Sequence, residues 1–201
     1  MNSKTISESE LELIVTDAAT DAKDYLMKYF DVKRGYKLSI VIMNLPNDLL
    51  GRFKADEDTE SYRIDIDDDK LIRKLKRVNL ENRFQFALDM IIGEEVGHLL
   101  FYLEHKEMHE QVLPEYYGGL KLVREVIGHY TGLVYANRNH SRPLSLSLKP
   151  DTENGKAYFL ANQLYAKFKD SKLAELSKVK SLSELIGIIR EYGIGENARA
   201  N

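Results

Sequence analysis

A chain of 201 residues, 43% of them hydrophobic, is long enough for one domain with a sizeable core, and no Gly/Ser/Pro-rich linker divides it into two. Its 29 basic and 32 acidic residues leave a net charge of -3, which argues against nucleic acid or an anionic membrane as a partner held by bulk electrostatics. Cysteine is absent, which removes disulfides and thiolate metal sites. The polar opening Met1-Asn2-Ser3-Lys4-Thr5 does not read as a secretory signal and no apolar run reaches bilayer length, so the expected location is the cytoplasm.

Residues 8–30 read as an amphipathic helix with Leu11, Val15, Ala18, Ala22, Tyr25 and Tyr29 on one stripe and a capping box from Ser7 and Glu10. Gly35 breaks the pattern, and Tyr36 to Leu45, rich in β-branched residues, reads as a buried strand. Residues 46–60 look turn-like and acidic. The alternation in Tyr62-Arg63-Ile64-Asp65-Ile66-Asp67 predicts a half-buried strand, and the run Asp65, Asp67, Asp68, Asp69 reads as a solvated strand end that caps the next helix. It lacks the glycine and closing glutamate of a calcium loop. A helix with a solvated basic face (Lys70, Arg73, Lys74, Lys76, Arg77) follows, and Asn79 is a plausible N-cap for a helix that continues to about His105. Pro114 opens another helix running to about Ala136. The connection 137–154 is unusually long, and two helices, roughly 156–169 and 181–192, end the chain, the second with a Ser181/Glu184 capping box and Gly193 as its stop. The fold class expected is α+β. A small antiparallel or mixed sheet (8–67, with the first helix) precedes a mostly helical part built on the helix pair 79–136.

The chemistry concentrates on that pair. Leu80, Phe84, Ala87, Ile91, Glu94, His98 and Phe101 recur at spacings of three and four, which puts Glu94 and His98 in the core stripe one turn apart. A carboxylate and an imidazole in an apolar stripe need a partner, and a divalent cation can bridge an i,i+4 pair. The next helix repeats the spacing with Glu125 and His129. Gly93 and Gly97 on the first helix, with Gly118 and Gly132 on the second, allow close approach. Four groups could then converge on one pocket; the metal-free alternative is a buried ion-pair lock between the helices. Glu95-x-x-His98 also has the spacing of a di-iron carboxylate site, although no matching second Glu-x-x-His is present. His105 and His109 read as a solvated helix end. His140 with Arg138 and Arg142 forms a basic cluster expected to face the pocket and contact a substrate carboxylate or carbonyl.

The segment Gly93-Glu94-Glu95-Val96-Gly97-His98-Leu99-Leu100 resembles the active helix of the zincin metallopeptidases, whose HExxH motif often reads HEVGH. The resemblance covers roughly residues 36–136. It implies a β-hairpin before the helix, His98 as a metal ligand and Glu95 as general base. Glu125 (runner-up Glu115) is implied as a third ligand, and His129 as a fourth ligand or a group that steadies the transition state. Glu94 stands where the first histidine is expected, as a carboxylate ligand that would leave a divalent ion formally neutral with Glu125. The metzincin extension is absent, since Phe101 and Glu104 occupy its glycine and histidine positions. The implied cofactor is a divalent metal, zinc first, with manganese or iron suited to the extra carboxylate. The implied substrate is a peptide or protein. A catalytically inactive zincin-fold protein with a binding or regulatory role is the alternative.

Overall fold

The computed structural model of the chain describes residues 8–32, 36–46, 49–56, 61–67, 69–70, 73, 81–105, 117–138 and 153–193. Helix α1 (Glu8–Leu26) runs into a single 3-10 turn (Met27–Tyr29). Three strands follow, β1 (Lys37–Ile42), β2 (Gly51–Asp56) and β3 (Ser61–Ile66). The helices α2 (Glu81–Glu104), α3 (Tyr117–Ala136), α4 (Glu153–Phe168), α5 (Leu173–Leu176) and α6 (Leu182–Glu191) complete the chain. The architecture is α+β, as the sequence predicts. Among the described residues no helix is long and apolar enough to cross a membrane.

The sheet is mixed, in the order β1-β3-β2. β1 lies parallel to β3 with Ile40 opposite Ile64, and β2 lies antiparallel to β3 with Phe53 opposite Ile64. Period-two alternation buries Tyr62, Ile64 and Ile66 against the helices. The two strands read from the sequence, β1 and β3, pair in parallel and form no hairpin; the hairpin before α2 is β2–β3, and β2 falls in the segment 46–60 that reads as a turn. Gly51-Arg52-Phe53-Lys54-Ala55-Asp56 contains one strong strand former; pairing with β3 makes it a strand.

Two of the aspartates expected to be solvated are buried. Asp65 projects to the outer face of β3 beneath Arg52 (Nη2 to Oδ2, 2.7 Å), Arg63 (Nε to Oδ1, 2.6 Å) and Lys54 (3.8 Å). Asp67 accepts from the Leu45 N–H at 2.7 Å and the Lys70 N–H at 2.9 Å. The capping role predicted for the acidic run thus holds at Asp67, while its solvation does not. Burial opposes ionisation of Asp67, but these two N–H donors and the Lys70 ammonium at 3.1 Å outweigh it and hold the carboxyl below its ordinary range. Asp68 and most of the basic segment 70–77 lie outside the described residues, as do Asn79 and Pro114.

Helix α2 is enclosed on nearly every side, with Phe86, Leu88, Met90, Ile92, Val96, Leu99, Leu100 and Phe101 all buried, so its apolar surface is wider than one stripe. It packs most extensively on α3, and α4 covers α3 through Ala157, Tyr158, Ala161 and Leu164. The buried line of α1 is Val15, Ala19, Ala22 and Leu26, with Ala18, Tyr25 and Tyr29 at its margin, a small rotation from the expected stripe. His105 is buried, not solvated: its Nε2 lies 2.6 Å from the Ser177 carbonyl oxygen and its ring 4.4 Å from that of Phe101. At the chain's end Ser181 Oγ accepts from the Glu184 N–H at 3.2 Å, and Gly193, at φ +63°, takes the left-handed conformation that stops α6.

Candidate metal centre

The α2–α3 contact depends on glycines. A Cβ at Gly97 would fall 1.8 Å from Thr131 Oγ1, and one at Gly132 would fall 2.6 Å from the Met90 carbonyl oxygen. A Cβ at Gly128 would meet the His98 ring, 2.3 Å from Cε1 and 2.7 Å from Nε2. The space that the His98 imidazole occupies therefore exists because residue 128 has no side chain. The expected small-residue contacts through Gly93, Gly97 and Gly132 are present. Gly128 and Thr131 are additions that sequence reasoning missed, although Gly128 and Gly132 repeat the four-residue spacing of Gly93 and Gly97.

Across this contact Glu94 and His98 from α2 meet Glu125 from α3. One ligand atom from each lies within 4.8 Å of the other two. His98 Nε2 is 3.9 Å from Glu94 Oε1 and 3.9 Å from Glu125 Oε2, while its other ring nitrogen is buried without a hydrogen-bond partner. The ring is thus held by packing. Two carboxylate oxygens and one imidazole nitrogen are donors that zinc, manganese and iron accept. Tetrahedral donors at roughly 2.1 Å from a cation stand about 3.4 Å apart, so the observed separations fit one ion after small side-chain movements.

His129 sits one turn beyond Glu125 but faces Glu94, with Nδ1 3.0 Å from Oε2. It stands outside the group of three converging donor atoms. Its ring is buried edge-on against Tyr158 of α4, with centroids 5.3 Å apart. Burial alone would raise Glu94, yet His129 and His98 beside it hold its carboxyl well below the usual range. Burial alone would lower His129, and the Glu94 and Glu125 carboxylates reverse this and raise it.

Glu95, next to Glu94 on α2, reaches β2. Its Oε1 lies 2.7 Å from where a Cβ of Gly51 would sit. Burial pushes its carboxyl up to about 8; the Glu94 and Glu125 carboxylates add to this, while His98 and the Phe53 backbone N–H act against it. Asp67 N donates to Leu50 O at 2.9 Å, and antiparallel alternation from that bond turns the N–H and C=O of Gly51, Phe53 and Ala55 away from β3. Glu95 is therefore next to an outward-facing strand edge, an arrangement not anticipated from sequence because β2 was not.

Arg138 does not face this site. Its guanidinium pairs with Asp21 (2.6 Å) and Asp89 (3.3 Å) and lies over the Tyr135 ring, tying the end of α3 to α1 and α2. The basic cluster expected at the pocket thus loses this member. His140, Arg142, His109 and Glu115 lie outside the described residues. Comparison with protein-family models, curated proteins and solved structures returns no match for this chain.

Proposed function

We propose that this chain is a metal-dependent hydrolase of peptide bonds, holding one divalent cation on Glu94, His98 and Glu125 and using Glu95 as the proton acceptor. One observation carries the reading: three possible ligand atoms converge within 4.8 Å, and a further buried carboxyl, Glu95, is close enough to feel the charge of all three groups. A structural ion-pair lock has no need of Glu95, whose burial pushes its carboxyl up to about 8 and so suits it to take up a proton. The resemblance of Glu94–His98 to the zincin helix supports the same assignment.

A divalent cation, zinc first and manganese or iron next, supplies Lewis-acid polarisation of a carbonyl and acidification of water when bound. Glu95 takes the proton of the attacking water and returns it to the departing amine nitrogen. The outward C=O groups of Gly51, Phe53 and Ala55 and the N–H groups of Gly51 and Ala55 suit an extended peptide added beside β2, which would bring its backbone past Glu95 on the Phe53 N–H.

The test uses protein purified without added metal. Elemental analysis should find one divalent ion per chain, or added Zn²⁺ or Mn²⁺ should raise the melting temperature and chelator reverse the rise. Glu95→Gln should keep the ion and lose hydrolysis of denatured casein and a mixed-sequence peptide library. A Glu95→Gln variant with undiminished turnover removes Glu95 from the mechanism, and a protein that takes up no ion removes the reading altogether.

The 3.0 Å contact between Glu94 and His129 favours a second reading, a catalytically inactive zincin-fold protein with a binding or regulatory role, its helices locked by that pair. Hydrolysis that appears only in Glu94→His would decide for it. Among the described residues one three-ligand group is found, so the assignment is to a single ion and not to a di-iron pair.

A further inference from the structure

We propose that His129 is a positioning residue for Glu94, holding one carboxylate oxygen so that the other is presented to the cation. This inference rests on the metal site proposed above. The two oxygens of Glu94 are divided between two imidazoles: Oε2 lies 3.0 Å from His129 Nδ1, and Oε1 faces His98 Nε2 at 3.9 Å. A glutamate carries one more rotatable bond than a histidine and two equivalent oxygens, so it orients a donor less well than the imidazole that zincins have at this place. A donor on Oε2 removes that freedom.

His129 is built to supply it. Its ring is buried, fixed edge-on against Tyr158 and carried on α3, the helix that also provides Glu125. Each helix then contributes an i,i+4 pair, Glu94 with His98 and Glu125 with His129, and the pairs interlock: His129 of the second steadies Glu94 of the first. The 3.0 Å approach is an ion-pair contact, and Nδ1 can donate to Oε2 both in the imidazolium and in the neutral tautomer that carries its proton there. Partners of this kind behind metal ligands typically change affinity by about 10–100-fold when removed.

The experiment is a double-mutant cycle on Zn²⁺ affinity, measured on the full metal-free chain by competition with a chromophoric chelator. His129→Phe, which keeps a ring and loses the donor, should weaken Zn²⁺ binding about 10–100-fold. His129→Asn places an amide N–H near the position of Nδ1 and should bind within a few-fold of the wild type. In a Glu94→His background, where no carboxylate needs orienting, His129→Phe should change affinity less than about threefold. If His129→Phe does not fold, His129→Leu serves in the same comparisons.

A donor-less variant with wild-type affinity overturns the proposal. So does an equal loss in the Glu94→His background, because that is what a merely structural role predicts. These failures are distinct from failure of the metal site itself, in which the wild type would bind no Zn²⁺ and both readings would fall.

Discussion

Gly128→Ala isolates the packing that seats His98. In an unobstructed helix the replacement of glycine by alanine stabilises by roughly 0.5–1 kcal/mol through backbone entropy. Gly187 in α6 is such a position, since a Cβ there meets nothing within 4 Å. At Gly128 the new Cβ falls 2.3, 2.7 and 2.8 Å from three atoms of the His98 ring, so the imidazole or the helix must move. Overpacking of this kind costs about 1–3 kcal/mol, which more than offsets the entropic gain. The two alanine variants should therefore differ by about 2 kcal/mol, or roughly 4–8 °C in melting temperature for a chain of this size. Gly187→Ala should rise by about 1–4 °C and Gly128→Ala should fall below the wild type. The same displacement moves Nε2 relative to Glu94 and Glu125, so Zn²⁺ affinity should drop more than about tenfold in Gly128→Ala and stay unchanged in Gly187→Ala. Differential scanning fluorimetry and chelator competition read both effects. A Gly128→Ala protein as stable as Gly187→Ala, with wild-type affinity, would refute the placement of His98 against Gly128.

Asp67 gives a prediction in pH. Its folded carboxyl lies below the ordinary value of about 3.9, so its contribution is fully present above that value and is lost as pH falls through the lower, folded one. Denaturant midpoints measured from pH 6 down to 2 should fall less steeply in Asp67→Asn than in the wild type, and parallel slopes would count against the assignment. Removing Asp65 should expose the repulsion of the cations that cover it. Asp65→Ala should cost about 1–3 kcal/mol, discounted because Arg52, Arg63 and Lys54 are partly solvated, and part of the loss should return at high salt. An unchanged denaturant midpoint would contradict this.

The long helices were legible because period 3.6 over twenty residues is a strong signal, and Glu94, His98, Glu125 and His129 were legible because i,i+4 spacing is fixed by helix geometry alone. What sequence missed depends on partners far along the chain. Asp65 looked solvated since alternation puts it on the outer face of β3, and the Arg52 and Lys54 that bury it sit on β2, a strand with little propensity of its own. His105 looked like a charged helix end, but its acceptor is Ser177, 72 residues on. Arg138 was expected beside His140, whereas its strongest partner is Asp21, 117 residues earlier. In each case the fold supplies a polar residue with a distant counterpart that the local sequence does not show.

Glu94 stands where the proposed zincin reading expects a histidine, and its neighbours determine what that extra negative charge would mean. In the proposed site Glu94 and Glu125 would formally neutralise a divalent ion, and a neutral centre is the weaker Lewis acid. His129 faces the same carboxylate through Oε2 at 3.0 Å, so a cation on the proposed site would share Glu94 with an imidazole. A lock and a catalyst thus use the same four residues and differ in how Glu94 is shared. In a lock both of its oxygens are committed to imidazoles; in a catalyst Oε1 is released to the cation while Oε2 stays on His129. Glu95 is the residue that separates the two cases, because a lock between the two helices makes no use of its buried carboxyl beside the edge of β2, whereas the proposed reaction does.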